Sequence, residues 1–427
     1  MKLTNNNTWR IFREKGIKQA LTHRLNRILR DNIFIDLFIP LAWQLNKKLP
    51  KGYKFLYIAS HATGHNAMQK FLTQCNIQTN WHFEEDGYTR YKDIYKRLIK
   101  DKHHYNIITL SEYNFTDHQK FFATIREKVP AIILVRDPIA ICKSAINHSM
   151  ERKNITTIIR GGGADLSALF SDCIQYNGYN TQTKQTFLSN TPSLNMLEYL
   201  ISQRTSMQGM QTSFITHAIK ESLPYITKIH YIDMNEITGK RTWKSIKKLS
   251  SLFDFLPPQD KHYFEGSLYG SLRPFLPIRF HIPYKNQDLE FICNLQQHSM
   301  TFESYSYNIT SQVMPANYKH DKNFSHIMIW TTKASLEKLQ ENPCKTFVVQ
   351  ELDKLFSILQ NEMNRNDSKK LTEKDVLEYL QRNPQTAKKL KVILDGEIEH
   401  IKQTRPDIIE SWRYYLEFEA ICKRCNI

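Results

Sequence analysis

Tyr53-Lys-Phe-Leu-Tyr-Ile-Ala-Ser60 runs into His61-Ala-Thr-Gly-His-Asn66 and then into Ala67-Met-Gln-Lys-Phe-Leu72. The first segment is a short apolar run rich in strand formers, the second a turn containing Gly64, and the third the opening of a helical pattern. Strand, glycine turn and helix N-terminus in that order commonly hold a phosphate, because unpaired backbone N–H groups and the helix dipole converge there. The counterpart of this stretch is Val129-Pro-Ala-Ile-Ile-Leu-Val-Arg-Asp-Pro138, continued by Ile139 to His148. It reads as a buried strand ending on Arg136, a turn with Pro138 near the first helical position, and a helix carrying Ser144 and His148. Arg136 and Ser144 can then both face the carboxyl edge of a parallel sheet, where open α/β folds bind ligands.

Working outward, strands are expected at 53–59, 79–83, 105–112, 131–136 and 228–234, with helices between them. That alternation predicts an α/β protein with a parallel sheet flanked by helices. From 152 to 190 periodicity fades around Gly161-Gly-Gly163 and Tyr176-Asn-Gly-Tyr-Asn-Thr181, the pattern of a lid or an acceptor-binding loop. Helices at 192–206 and 211–223 precede the last strand of the sheet. Residues 257–325 are rich in Pro and aromatics, with a weak strand pattern at 278–283. From Thr332 the chain reads as helices, with the apolar stripe Leu352, Leu355, Phe356, Leu359 and Met363 demanding burial. The polar break at 366–373 marks the final helices as a small unit of their own. Three parts follow: a basic amphipathic segment at 1–50, a catalytic domain at 51–330 and a helical C-terminal region at 331–427.

Strand, phosphate loop and helix, then a strand ending in Arg-x-Pro with Ser eight residues after the Arg, resembles the sulfotransferase superfamily. The resemblance runs from about residue 50 to 275 and includes Lys228-Ile-His-Tyr-Ile-Asp-Met-Asn-Glu-Ile237 with the helix from Trp243 to Leu256. It implies a P-loop-like fold that binds 3′-phosphoadenosine 5′-phosphosulfate. Thr63, Gly64, His65 and Asn66 would hold the 5′ end, and Arg136 with Ser144 the 3′-phosphate. The family's loop carries Lys or Arg before Ser/Thr-Gly-Thr-Thr; here His61 and His65 are the candidates for that charge. Arg273 lies where the family closes a basic segment over the 3′-phosphate, although the family's Arg-Lys-Gly pattern is absent. Asp233-Met-Asn-Glu-Ile237, Asn177-Gly-Tyr-Asn180 and Leu272-Arg-Pro-Phe-Leu-Pro277 resemble a group of bacterial capsule-locus "sugar transferase" proteins. Some relatives are thought to transfer phosphoramidate from a 3′-phospho-cytidine diphospho-type donor, which presents the same two phosphate ends.

The implied activity is transfer of a sulfuryl or phosphoramidoyl group to a hydroxyl of a bacterial surface glycan, capsule or lipopolysaccharide. Such transfer needs in-line positioning, charge neutralisation on the leaving phosphate and a base for the acceptor proton. Glu112, at the end of the third expected strand, is the first candidate base, with His61, His65 and His118 behind it. For each of them the competing reading is a satisfied polar residue at a strand or turn end. Gly64 is not followed by Lys-Ser/Thr and no acidic metal cluster is visible, which disfavours a kinase and points to a metal-independent reaction. Two other readings stay open: a non-enzymatic capsule-assembly or binding protein that kept the fold, and a glycosyl transferase.

The 427 residues carry a net charge of +17 and are 41% hydrophobic, which suits a sizeable core and an acidic partner. Anionic nucleotides, acidic glycans and an anionic membrane fit that charge. Nucleic acid ranks below them, since no helix-turn-helix, zinc finger or RNA-binding signature accompanies it. The seven cysteines are scattered, and Cys422-Lys-Arg-Cys425 lacks the second pair a zinc site needs. Residues 8–32 mix apolar and basic positions at helical spacing, next to the apolar stretch Ile33–Trp43. They either pack on the main domain or lie on an anionic membrane. With no signal-peptide pattern at the N-terminus, the expected location is the cytoplasm, with the inner-membrane surface as its peripheral variant.

Overall fold

The computed structural model describes residues 33–148, 157–160, 170, 174–205, 211–265, 271–295, 304–321, 323–325 and 327–427. The basic segment 8–32 and Gly161–Gly163 lie outside them. Two compact units are present, and they interleave along the chain. The first takes Met1–Ile141, Leu200–Phe264 and Ala387–Ile427; the second takes Cys142–Tyr199 and Glu265–Thr386. This division cuts across the anticipated three parts: range 51–330 is shared by both units. Residues 387–427 join the sheet-bearing unit instead of forming a small unit of their own.

The first unit is built on a five-stranded parallel sheet. Its strands are β1 (Tyr53–Ala59), β2 (Ile77–Gln78), β3 (Tyr105–Leu110), β4 (Val129–Val135) and β5 (Ile226–Asp233), in the spatial order β2-β3-β1-β4-β5. β1 sits at the centre with Leu56 to Ala59 wholly buried, as a strand covered on both faces requires. Its register pairs Ile58 with Leu110 on one side and with Ile133 on the other. At the far side Val135 stands opposite Asp233. The strand expected at 79–83 is not formed; β2 stops at Gln78. The Asn80 side-chain amide accepts from Thr109 N–H (2.8 Å) and donates to Thr109 C=O (2.8 Å). A side chain thereby takes over the next rung of the ladder, and the main chain turns away.

Five helices position the candidate site. α1 (His65–Gln74) follows β1, and α2 (Pro138–Ile146) follows β4 and runs across the division between the units. α3 (Pro384–Thr404), α4 (Pro406–Ser411) and α5 (Arg413–Arg424) close the chain. The single helix expected from Pro406 to Lys423 is broken at Trp412, whose φ of −86° and ψ of 79° end one helix and open the next. Trp412 is almost completely buried, and its indole Nε1 donates to Asp233 Oδ2 at 2.6 Å. Arg405 adds a bond from Nη1 to Tyr231 C=O (2.9 Å). Glu397 accepts from Thr216 Oγ1 and from His217 N–H (3.2 Å).

The second unit carries a mixed five-stranded sheet, of which the sequence reading anticipated only the strand at 278–283. Its order is Tyr307–Asn308, Ile327–Thr331, Gln287–Leu295, Ile278–Tyr284 and Thr157–Arg160. All its ladders are antiparallel except the last, in which Thr157–Arg160 runs parallel to Ile278–Tyr284. The stripe on helix Asn342–Ser368 (Val348, Leu352, Phe356, Leu359 and Met363) is buried with Phe280, Phe291 and Phe324 of this unit. Tyr176–Asn180, expected as loop, pairs with Gln185–Ser189 in a hairpin. Among the described residues no helix is long and apolar enough to cross a membrane.

Replacing Trp412 by Phe keeps most of the buried ring but removes the donor to the Asp233 carboxylate. Urea unfolding followed by circular dichroism should show a loss of about 1.5–3 kcal/mol, the worth of a hydrogen bond to a charged group. An unchanged midpoint would mean that the indole bond contributes nothing to seating the C-terminal helices.

Candidate functional site

The strand order places a topological switch between β1 and β4, since the chain leaves β1 toward β2 on one side and leaves β4 toward β5 on the other. Open α/β sheets bind ligands beyond the carboxyl ends of such strands. The loop Ser60–Gly64 and the turn Arg136–Asp137 emerge there. Ala62 (φ 64°) and Gly64 (φ 93°) are both left-handed, which folds the loop back on itself. Thr63 is buried, and its Oγ1 donates to Ser60 C=O at 2.6 Å. Gly64 caps α1 without a side chain, and a Cβ there would lie 3.4 Å from Met234 Cγ as well as strained in φ. The loop is thus a tight bend delivering the N–H groups of His65, Asn66 and Ala67 at the start of a ten-residue helix.

Arg136 comes to this loop as the sequence anticipates, and its Nη1 donates to Ala62 C=O at 2.6 Å. In this state the guanidinium braces the loop. Ser144 and Arg273 belong to the second unit, Ser144 on the continuation of α2 and Arg273 in the turn Arg273–Phe275.

The four candidate bases meet different fates. Glu112 is sealed in the core at 1% exposure, paired with Arg90 Nη2 through Oε2 and accepting from Glu84 N–H through Oε1 at 3.4 Å. Arg90 also donates to Glu85 C=O (2.8 Å) and lies 4.0 Å over the Phe115 ring. Burial pushes the Glu112 carboxyl up and Arg90 opposes it. Glu112 therefore anchors the loop at 84–85 and is out of reach of an acceptor hydroxyl. His65 stacks on Tyr57, ring centroids 5.5 Å apart and planes 10° from parallel, and its Nδ1 has no hydrogen-bond partner among the described residues. Burial, helped by His61, pulls its pKa down to about 3, so the ring is neutral and a poor proton acceptor. His61 is half-buried and stacks on the exposed Phe83, centroids 5.8 Å apart, which leaves it the best placed of the four. His118 is turned to Phe115 C=O at 3.0 Å.

The crevice at the switch is largely filled. Leu394, Ile398, Ile401 and Trp412 from the C-terminal helices line it together with Ser60, Thr63 and Arg136, leaving a cavity of about 30 Å³. That is room on the scale of one water, against the several hundred Å³ a small-molecule pocket offers. The loop's N–H groups fit a phosphate; the crevice as it stands does not fit a nucleoside. Ser60, Asp137, Glu397 and Trp412 are the residues sequence reasoning missed here. Asp137, inside the Arg-Asp-Pro turn, was the one with a local signal, because a carboxylate just before a helix is an N-cap. Among the described residues no group of three or more His, Cys, Asp and Glu side chains is arranged to hold a metal ion.

The family described as "Protein of unknown function (DUF2972)" matches residues 231–425. The match takes in Asp233, Glu397, Arg405 and Trp412, hence the whole C-terminal contribution to the crevice, while the loop at 60–65 and Arg136 lie outside it. No curated protein and no solved structure matches the chain.

His65 gives the site a pH signature. The imidazole stays neutral in the fold down to about 3 but takes a proton near 6.5 in the unfolded chain. The unfolded chain therefore binds more protons in that window, and stability falls as pH is lowered from 6.5. His65→Phe preserves the stacking on Tyr57 and removes the titration. Stability measured against pH should then lose up to about 1.4 kcal/mol of slope per pH unit relative to wild type below 6.5, with parallel curves above it. Parallel curves throughout would show that His65 is not held neutral.

Proposed function

We propose that the protein is a transferase of sulfotransferase-like fold that draws a sulfuryl or phosphoramidoyl group from a 3′-phosphonucleotide. The observation that carries this reading is the convergence of the Ser60–Gly64 loop, the N-terminus of α1 and Arg136 at the switch between β1 and β4. Strand order and loop position are those expected of a P-loop-like phosphate site, and the net charge of +17 favours an anionic donor. The backbone N–H groups of α1 would take the 5′-side phosphate. Arg136, on exchanging Ala62 C=O for a phosphate oxygen, would take the 3′-phosphate. His61 replaces Glu112 as the proposed proton acceptor. The donor would supply the reactive group. A surface-glycan hydroxyl as acceptor rests on the sequence resemblance alone.

A second reading, a non-enzymatic binding protein that retains the fold, has its own support. The cavity of about 30 Å³ is too small for a nucleoside, and Arg136 already holds the loop carbonyl. Under the transferase reading the C-terminal helices must shift for the donor to enter.

Calorimetric titration with the 3′,5′-bisphosphates of adenosine and cytidine, and with the matching 5′-monophosphates, separates the two. A transferase should bind one bisphosphate more tightly than its monophosphate. Arg136→Ala should weaken the bisphosphate by roughly 2–4 kcal/mol and leave the monophosphate nearly unchanged. Equal losses for both would remove Arg136 from the 3′-phosphate, and no binding of any nucleotide by wild type would favour the binding-protein reading.

A further inference from the structure

Trp81 and Phe83 are 53% and 59% exposed, although rings of this size gain most from burial. Between them His82 turns inward; its side chain is 5% exposed and its Nδ1 lies 3.2 Å from Asn80 Nδ2. The backbone that holds the two rings outward is secured at both ends. At one end the buried Asn80 amide is bound to both main-chain groups of Thr109. At the other, Glu84 is left-handed (φ 64°), a strained conformation for a residue with a side chain. Its N–H donates to the Glu112 carboxylate, which is itself paired with the buried Arg90. Asp86 Oδ1 then accepts from Thr89 N–H at 2.7 Å and caps helix Gly87–Lys100. A buried ion pair adds little net stability, so what this one contributes is the position of the loop above it. Strain and buried charge spent on a loop whose rings face solvent mark a segment shaped for a ligand.

The place of the rings indicates which ligand. Phe83 stacks on His61, and Trp81 meets His65 edge-on with centroids 6.2 Å apart, so both rings border the loop after β1. In the order β2-β3-β1-β4-β5, Asn80 ties this segment to the end of β3, whereas Arg136 comes from the end of β4. The rings and Arg136 thus flank the phosphate loop from opposite sides. A donor whose 3′-phosphate rests on Arg136 extends toward β4, and a group that receives the transferred moiety in line approaches from the other side. The rings stand on that side, next to His61.

The polar groups beside the rings give the chemistry of the acceptor. Glu85 Oε2 accepts from Phe83 N–H, which puts this carboxylate against the platform, and Glu84 is exposed between them in the chain. A sugar ring presents apolar C–H groups on its face, which suit an aromatic surface, and hydroxyl donors at its edge, which suit carboxylates. A sugar carrying its own carboxylate would be repelled.

We propose that Trp81 and Phe83 form the acceptor platform and that the acceptor is an uncharged sugar ring, hydrogen-bonded at its edge by Glu84 and Glu85. The side of approach rests on the transferase reading; the binding itself is measurable without any transfer.

Saturation-transfer NMR titrations of the full chain test this, with the neutral trisaccharides maltotriose, cellotriose and mannotriose and with the acidic trigalacturonate. At least one neutral trisaccharide should bind, and trigalacturonate should bind about fivefold or more weakly than it. Trp81→Ala with Phe83→Ala should weaken the neutral sugar about tenfold or more, while the 3′,5′-bisphosphate that wild type binds should be bound as before. Circular dichroism and melting report whether the variant is folded. Should the double variant not fold, Phe83→Ala alone should still weaken the sugar about threefold. Binding of no neutral trisaccharide, equal or tighter binding of trigalacturonate, or undiminished sugar binding by the folded variant would each overturn the proposal. So would a variant that loses the bisphosphate and keeps the sugar, because the rings would then carry the nucleobase. If wild type binds a neutral trisaccharide through these rings but no nucleotide, the sugar site stands and the transferase reading falls. Nucleotide binding without sugar binding has the opposite meaning.

Discussion

One carboxylate serves two helices. Asp137 Oδ1 accepts from Ile139 N–H at 2.9 Å, capping α2, and Oδ2 accepts from Tyr414 and Tyr415 N–H at 3.0 and 3.3 Å, capping α5. Each helix start would otherwise bury unpaired donors, at a cost of about 1–3 kcal/mol per orphaned group. Burial pushes the Asp137 carboxyl up, and the backbone donors of both helices act against it. The turn that Asp137 fixes also aims Arg136 at the loop after β1. Strand end, loop and C-terminal helix are therefore set by a single side chain.

Around that anchor the apolar contacts decide the geometry of the crevice. Leu394, Ile398 and Trp412 are nearly fully buried, and each such side chain is worth about 1.5–3 kcal/mol relative to exposure. The polar links from Glu397, Arg405 and Trp412 fix the register of the cover, since each hydrogen bond ties a C-terminal side chain to one place in the sheet or the helix beside it. Lifting the cover would expose both the apolar lining and these polar groups at once. A ligand that enters here must offer interactions of comparable size.

The sheet was legible wherever apolar runs were continuous. β1, β4 and β5 lie within one or two residues of the positions read from sequence; for β1 and β4 this is because strands buried on both faces leave little else for such runs to do. The segment Thr79-Asn80-Trp81-His82-Phe83 misled because it has the alternation of a strand, while the Asn80 amide usurps the ladder. Glu112 misled in another way. It lies just beyond β3, which stops at Leu110 and not at 112, and its pairing with Arg90, 22 residues earlier, has no local trace in sequence. The rest of the second sheet escaped because its strands are brought together from residues 157 to 331 across aromatic-rich connections. The stripe on helix Asn342–Ser368 demanded a partner surface without naming it. Glu397 and Trp412 were invisible as crevice residues for the same reason, since amphipathic spacing fixes a face and leaves its destination open.

The interleaving of the two units has a consequence for how this chain is made. The first unit draws on residues up to Ile141, on Leu200–Phe264 and on Ala387–Ile427, so its last piece is translated after the whole of the second unit. The fifth strand of the parallel sheet arrives only after Ile226, and the residues that cover the carboxyl edge arrive some 160 residues later still. The second unit, complete at Thr386, has all its strands and its long helix translated before then. Synthesis therefore runs against the usual N-terminal-first order, and the nascent chain holds an uncovered apolar sheet edge until Ala387–Ile427 are made.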